Sequence, residues 1–297
     1  MRILIAVDGS KSSLDAVKVA GALVDPAADL VALYYSPRDL EKRVPEASRS
    51  IIGGAAAAVF DDARDALPAA IRGRVEFLQT DAPAAVGILK SATDWQADMV
   101  AVGARGHGGL QTLLLGSVSR AVVHGAHLPV LVARSMPPAD RGFRVLTCHH
   151  AASAASVAKA IGHVHWPAGT TGTVIGVAES MLAGPLPSWL ENRVRDPDTA
   201  AVAQAWQQEH DAEVTALEGV LAAFAASLPA AFRSATPVVA QGNPGERIIE
   251  RAKSDGTDLI VLGRTPTDPL SRWLIGSTSE AVLTHASASV LIVPVER

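Results

Sequence analysis

Residues 98–133 read DMVAVGARGHGGLQTLLLGSVSRAVVHGAHLPVLVA, and residues 258–293 read DLIVLGRTPTDPLSRWLIGSTSEAVLTHASASVLIV. At an offset of 160 residues the two stretches run together without a gap. Gly103/Gly263, Leu110/Leu270, Leu114/Leu274, Gly116/Gly276, Ser117/Ser277, Ser119/Ser279, Ala121/Ala281 and Val122/Val282 all coincide. A self-match of this length marks two copies of one folding unit. In each copy a continuous apolar run, MVAVG or DLIVLG, leads into a polar loop, then into helical periodicity, then into a second apolar run. Such runs suit strands covered on both faces, and their alternation with helices through short loops implies a parallel sheet.

Upstream, RILIAVDGSKSSLDAVKVAG (2–21) and RVLTCHHAASAASVAKAIG (144–162) each join a short apolar strand to a small-residue helix. In the first copy the patterns predict strands at 2–7, 29–35, 74–78, 98–103 and 129–133, with helices near 11–24, 48–67, 84–95 and 116–126. The second copy predicts strands near 143–149, 171–178, 235–240, 257–262 and 289–293, with helices between. Pro137, Pro138 and Gly142 interrupt the periodicity, which places a boundary near residue 138 and domains at 1–137 and 143–297. Each half is expected to be a doubly wound α/β domain. The proline-rich segment 181–200, which holds Trp189, breaks the alternation in the second half.

A chain of 297 residues with 48% hydrophobic content supplies core for two domains of ordinary size. Its 26 basic and 30 acidic residues give a formal charge of -4, and no run of five basic residues offers a phosphate-backbone footprint, so nucleic acid is not an expected partner. The single cysteine, Cys148, excludes an intramolecular disulfide and the paired-cysteine zinc patterns. The N-terminal apolar run, Ile3 to Val7, is too short for a signal-peptide core or a membrane span. These features predict a soluble cytoplasmic protein with no membrane partner. Cys148, His149, His150, His163 and His165 invite a metal reading. The first three alternate across a strand end and the last two follow a helix, so no metal site is expected.

Gly103, Gly106, Gly116 and Ser117 form the pattern G-x2-G-x9-G-S. In an open parallel sheet ligands bind beyond the carboxyl ends of the strands where strand order reverses, and Asp8 and Gly103 end the first and fourth strands. Gly103 and Gly106 permit a tight turn and close backbone approach. Gly116 and Ser117 precede Val118, Ala121 and Val122, an apolar helical face, so residues 116–119 read as a helix N-terminus. Its free N–H groups and dipole favour an anion, and the hydroxyls of Ser117 and Ser119 can add hydrogen bonds. Loop glycines and a serine at a helix start are often turn and cap residues only. Here three glycines, a serine and an acidic strand end agree on one crevice, which points to phosphate.

These motifs, with VDGS at 7–10, ADMVAVGARG at 97–106, LLLGSVS at 113–119 and HLPVLVA at 127–133, resemble the universal stress protein family in its tandem form. The resemblance implies two Rossmann-like five-stranded parallel sheets of order 3-2-1-4-5. It implies ATP, or AMP or ADP, with or without Mg, at the C-terminal edge of the first. Ala6, Val7 and Asp8 would lie by the adenosine; Gly106, Gly116, Ser117, Val118 and Ser119 would hold the phosphates, and Arg105 could add charge. Family members pair through their last strands, here 128–133 and 288–294, which implies an internal pseudo-dimer and leaves a homodimer and unknown protein partners open. In the second half Pro266 replaces the middle glycine and histidine replaces Asp8, so that motif is degenerate and one nucleotide per chain is expected. No G-x4-G-K-[ST] loop or G-x-S-x-G elbow occurs. The leading reading is a nucleotide-binding sensor or regulatory module. A slow ATP hydrolase or autophosphorylating protein, and a nucleotide-free adaptor, are the alternatives.

Overall fold

The computed structural model describes residues 1–37, 49–106, 115–178, 197–264 and 276–295. Ten strands form one sheet in the order β3-β2-β1-β4-β5-β10-β9-β6-β7-β8. The first half contributes β1 (Arg2–Ala6), β2 (Leu30–Tyr35), β3 (Glu76–Gln79), β4 (Met99–Gly103) and β5 (Val130–Ala133). Their helices are α1 (Lys11–Ala22), α2 (Arg49–Ala66), α3 (Ala84–Asp94) and α4 (Ser117–Gly125). The second half contributes β6 (Arg144–Cys148), β7 (Thr171–Ala178), β8 (Val238–Gln241), β9 (Leu259–Arg264) and β10 (Ser289–Pro294). With them run α5 (Ala154–His163), α6 (Pro197–Ser227), α7 (Pro244–Ser254) and α8 (Ser277–His285).

Within each half every strand pair is parallel and the order is 3-2-1-4-5, as the resemblance implied. The strands fall where the apolar runs lie, with ends moved by local chemistry. Pro237 has no N–H to give a ladder, so β8 starts at Val238 rather than at 235. A short 3-10 turn at Arg72–Arg74 delays β3 to Glu76. The segment 179–196, including Trp189, lies outside the described residues.

Alternate residues of each strand feed opposite cores. Ile3, Ile5, Met99 and Ala101 face α1 and α2, while Leu4, Val100 and Val102 face α3 and α4. Phe143, Val145 and Val261 extend the first core under α5 and α6; Leu146, Ile260 and Leu262 extend the second under α7 and α8. All five residues of β4 are buried, which is why MVAVG carries no polar alternation. Asp98 and Asp258, the residues that start the internal match, do the same work: their carboxylates accept the N–H of Arg2 at 2.7 Å and of Arg144 at 2.8 Å, tying each first strand to its fourth.

The halves meet through β5 and β10, which pair antiparallel with Val130 opposite Ile292, Leu131 opposite Leu291 and Val132 opposite Val290. Across this seam Arg120 of α4 pairs with Glu280 of α8 at 2.9 Å. No helix among the described residues is long and apolar enough to cross a membrane. Residues 1–137 expressed alone would present the apolar edge of β5 to water, and such an edge templates further pairing. Light scattering after size-exclusion chromatography is expected to find a dimer or aggregate, and a stable monomer would contradict the dependence of the first half on β10.

Candidate functional site

At the C-terminal edge of the first half the tips of β1 and β4 stand side by side, with β2 and β3 on one flank and β5 on the other. This is the position where strand order reverses and a crevice opens. Ala6 is the last residue of β1, and Val7 continues toward β2 by donating its N–H to the carbonyl of Tyr34 at 2.8 Å. Asp8 follows. One of its carboxylate oxygens accepts the N–H of Ser10 at 2.9 Å, folding an Asx turn through Gly9, whose φ of 78° suits glycine. Ser10 then caps α1, its hydroxyl accepting the N–H of Ser13 at 3.2 Å.

The other carboxylate oxygen of Asp8 faces Gly106: a Cβ on Gly106 would come within 2.8 Å of it. The acidic end of the first strand and the middle glycine of the sequence pattern thereby meet in space. Gly103 is used differently. It is buried, and a Cβ there would lie 2.5 Å from the carbonyl oxygen of Ser12, so its missing side chain lets the tip of β4 press against the first turn of α1. Ser12 also accepts the N–H of Arg105 at 3.0 Å through its hydroxyl. Sequence reasoning passed over Ser12; the only signal is a third serine in SKSS, which cap chemistry at Ser10 already explains.

Gly116 is the N-cap of α4, with extended backbone and no side-chain cap, and its N–H is given to the carbonyl of Ala104 at 2.8 Å. The first turn of α4, Ser117, Val118 and Ser119, therefore starts beside Arg105 with amides that no side chain of the cap residue satisfies. Ser117 is exposed and Val118 packs on the second core. Ser119 is buried and donates its hydroxyl to the carbonyl of Gly103 at 2.6 Å, so it fixes the loop to the strand tip. The site thus offers one carboxylate, one uncapped helix N-terminus and the Arg105 side chain around a backbone without side chains at 106 and 116. Residues 107–114 lie outside the described residues.

The second half repeats the scaffold and changes the chemistry. Ser279 donates to the carbonyl of Gly263 at 3.2 Å, as Ser119 does to Gly103, and Gly263 presses on Ser153 as Gly103 does on Ser12. Strand register resolves the alignment of the histidines: His149 donates its N–H to Ile175 at 2.8 Å, as Val7 does to Tyr34, so His150 stands where Asp8 stands. His150 Nδ1 accepts the N–H of Ala152 at 3.3 Å, copying the turn without its negative charge. His149 is half-buried with its ring edge-on to Phe224, centroids 5.0 Å apart. Pro266 lies outside the described residues. Among the described residues no three His, Cys, Asp or Glu side chains are grouped to hold a metal, and Cys148 is a buried thiol held above its ordinary pKa by desolvation.

The sequence profile described as the universal stress protein family matches residues 1–134 and 191–294. The chain belongs to the universal stress protein family. A universal stress protein of Mycobacterium tuberculosis is 54% identical over 54 residues, a stretch covering 18% of this chain and 17% of that protein. Universal stress protein A homolog 2 of Coxiella burnetii is 50% identical over 52 residues, covering 18% of this chain and 35% of that protein. The aligned stretches thus span less than half the length of these curated relatives. Among solved structures, a universal stress protein from Archaeoglobus fulgidus superposes with a TM-score of 0.64 at 19% identity, covering 99% of this chain and 98% of that one. A universal stress protein structure from Pseudomonas aeruginosa gives 0.56 at 17% identity, with 99% and 92% covered. These two likenesses establish the tandem fold of this universal stress protein.

Two substitutions separate scaffold from site. Gly103→Ala forces a methyl into the backbone of Ser12 and is expected to cost about 1–3 kcal/mol, the scale of overpacking. Gly116→Ala places its Cβ 3.4 Å from the nearest backbone atoms at an ordinary φ of -63°, so stability should change by no more than about 0.5 kcal/mol. Urea unfolding of both variants checks the contrast.

His149 supplies a pH dependence. Burial, reinforced by His150, pulls its pKa below the ordinary 6.5. The unfolded chain therefore binds a proton more readily than the folded one, and stability falls as pH drops through and below 6.5. The stability of the wild type relative to His149→Leu should fall on acidification; a constant difference from pH 7.5 to about pH 5 would contradict this assignment.

Proposed function

We propose that the first half of this universal stress protein binds an adenine nucleotide, ATP or its di- or monophosphate, as a regulatory ligand in a cytoplasmic stress response. The observation that carries the reading is the approach of the Asp8 carboxylate to Gly106 beside the uncapped N-terminus of α4, at the switch point between β1 and β4. A carboxylate at the tip of β1 suits the hydroxyls of a ribose. A helix N-terminus framed by glycine suits phosphate, since backbone amides and the helix dipole both favour an anion there. Ala6, Val7 and Asp8 would take the nucleoside, and Gly103 would hold the two strand-tip loops together. Gly106, Gly116, Ser117 and Val118 would present backbone to the phosphates, with Ser119 bracing the turn and Arg105 adding charge. Mg, where present, would be brought by the phosphates.

Only one site per chain is expected, because His150 lacks the charge that Asp8 supplies and Pro266 lacks an N–H. Calorimetry of the purified full chain with ATP should give one nucleotide per chain. Asp8→Ala should weaken binding by about 1.5–3 kcal/mol, the range for a charge-assisted hydrogen bond, while the unfolding midpoint stays near the wild type. Two equivalent sites, or an Asp8→Ala affinity equal to wild type, would refute the reading. Chromatography of the recovered nucleotide separates a binding protein from a hydrolase.

A further inference from the structure

β5 lies on the far side of β4 from β1, and its last residue, Ala133, is in register with Gly103. The carbonyl of Ala133 accepts the N–H of Ala104 at 2.9 Å. The next residues out, Arg105 and Arg134, therefore leave neighbouring strand tips. Arg105 is also set against the start of α4: its Cα would be 3.4 Å from a Cβ on Gly116. Arg134 is anchored in the opposite direction. Its N–H is given to the Ser289 hydroxyl at 3.1 Å, and its Nη2 to the carbonyl of Leu283, at the C-terminal end of α8, at 2.5 Å.

That anchoring leaves Nη1 of Arg134 enclosed with no hydrogen-bond partner among the described residues. No carboxylate among the described residues offsets the charge; burial and then the like charge of Arg105 bring its pKa down to about 10. A half-buried guanidinium beside a like charge, with one enclosed donor unmet, is an unfavourable arrangement. A single phosphate group would relieve both faults, since its oxygens accept from guanidinium forks and its charge opposes both arginines.

Position selects which phosphate. From the tip of β1, where Asp8 stands, to the tip of β5 is two strand spacings, about 10 Å. That is the reach of a phosphate chain beyond a nucleoside seated at Asp8. We propose that Arg134 and Arg105 together receive the terminal phosphate of a nucleoside polyphosphate, so that the first half selects ATP over AMP. The inference rests on the nucleotide reading above. It assigns Arg134 a second task besides holding α8, and places a residue bonded to the second half in contact with the ligand of the first.

The test is equilibrium binding of ATP, ADP and AMP to the full-length protein and to Arg134→Gln and Arg105→Gln, with a thermal shift on adding inorganic tripolyphosphate. The wild type should bind ATP at least about tenfold more tightly than AMP, the scale of one well-formed charge-assisted contact. Arg134→Gln should bring that ratio to about threefold or less with AMP affinity retained, and Arg105→Gln should lower the ratio in the same direction. Tripolyphosphate should raise the melting temperature of the wild type by more than that of either variant. An unchanged ratio in folded Arg134→Gln overturns the proposal. Should that variant not fold for want of its bond to Leu283, Arg134→Lys, which keeps a donor for that carbonyl without the guanidinium fork, decides in the same way. AMP binding with no preference for ATP in the wild type overturns this proposal and leaves the nucleotide site standing; no adenine nucleotide binding at all overturns both.

Discussion

The antiparallel pairing of β5 with β10 is the contact on which the rest of the molecule depends. Each strand is a run of aliphatic residues that would otherwise end its sheet with unpaired N–H and C=O groups. Joined, they bury both inner edges and leave β3 and β8, four residues each, as the outer ones. The junction also makes the hydrophobic layer on each face continuous across both halves. Because the pairing is antiparallel, the C-terminal tip of β5 lies beside the first residues of β10, and only this direction brings Arg134 to Ser289 and to the end of α8.

A related contact holds α4. Arg264 follows Gly263 at the position that Ala104 occupies in the first half. Its Nη1 donates to the carbonyls of Val123 at 2.9 Å and of His124 and Ala126 at 3.2 Å. A cation there satisfies carbonyls at a helix end and complements its dipole. The helix whose N-terminus borders the candidate site in one half is thus held at its other end by the other half. Arg134 and α8 form the reciprocal arrangement. The two halves differ where these arginines sit, so each copy carries what its neighbour needs.

Scaffold and site have separated between the copies. Gly263 against Ser153, Ser279 on the carbonyl of Gly263, and Asp258 on the start of β6 reproduce the corresponding contacts of the first half. They pack strand tips to helices, which both halves require in order to fold. The groups that would meet a ligand, Asp8 and Gly106, have no counterpart in His150 and Pro266. Packing demands act on every copy of a fold, whereas ligand chemistry needs to be kept only where a ligand binds.

The sequence by itself determined the duplication, the doubly wound α/β class, the places of the strands and the glycine-framed start of α4. All of these are set by local periodicity and spacing, which a linear reading carries. It also led to Asp8 and Gly106 as parts of one crevice, because strand tips at a switch point are neighbours in any such sheet. Only the tertiary structure decided that Gly103 yields its space to Ser12, that Ser119 turns its hydroxyl back to the strand, and that His150 rather than His149 matches Asp8. The contacts of Arg134 and Arg264 were equally hidden. Each depends on register between strands far apart in sequence, where a shift of one residue turns a side chain to the opposite face of the sheet.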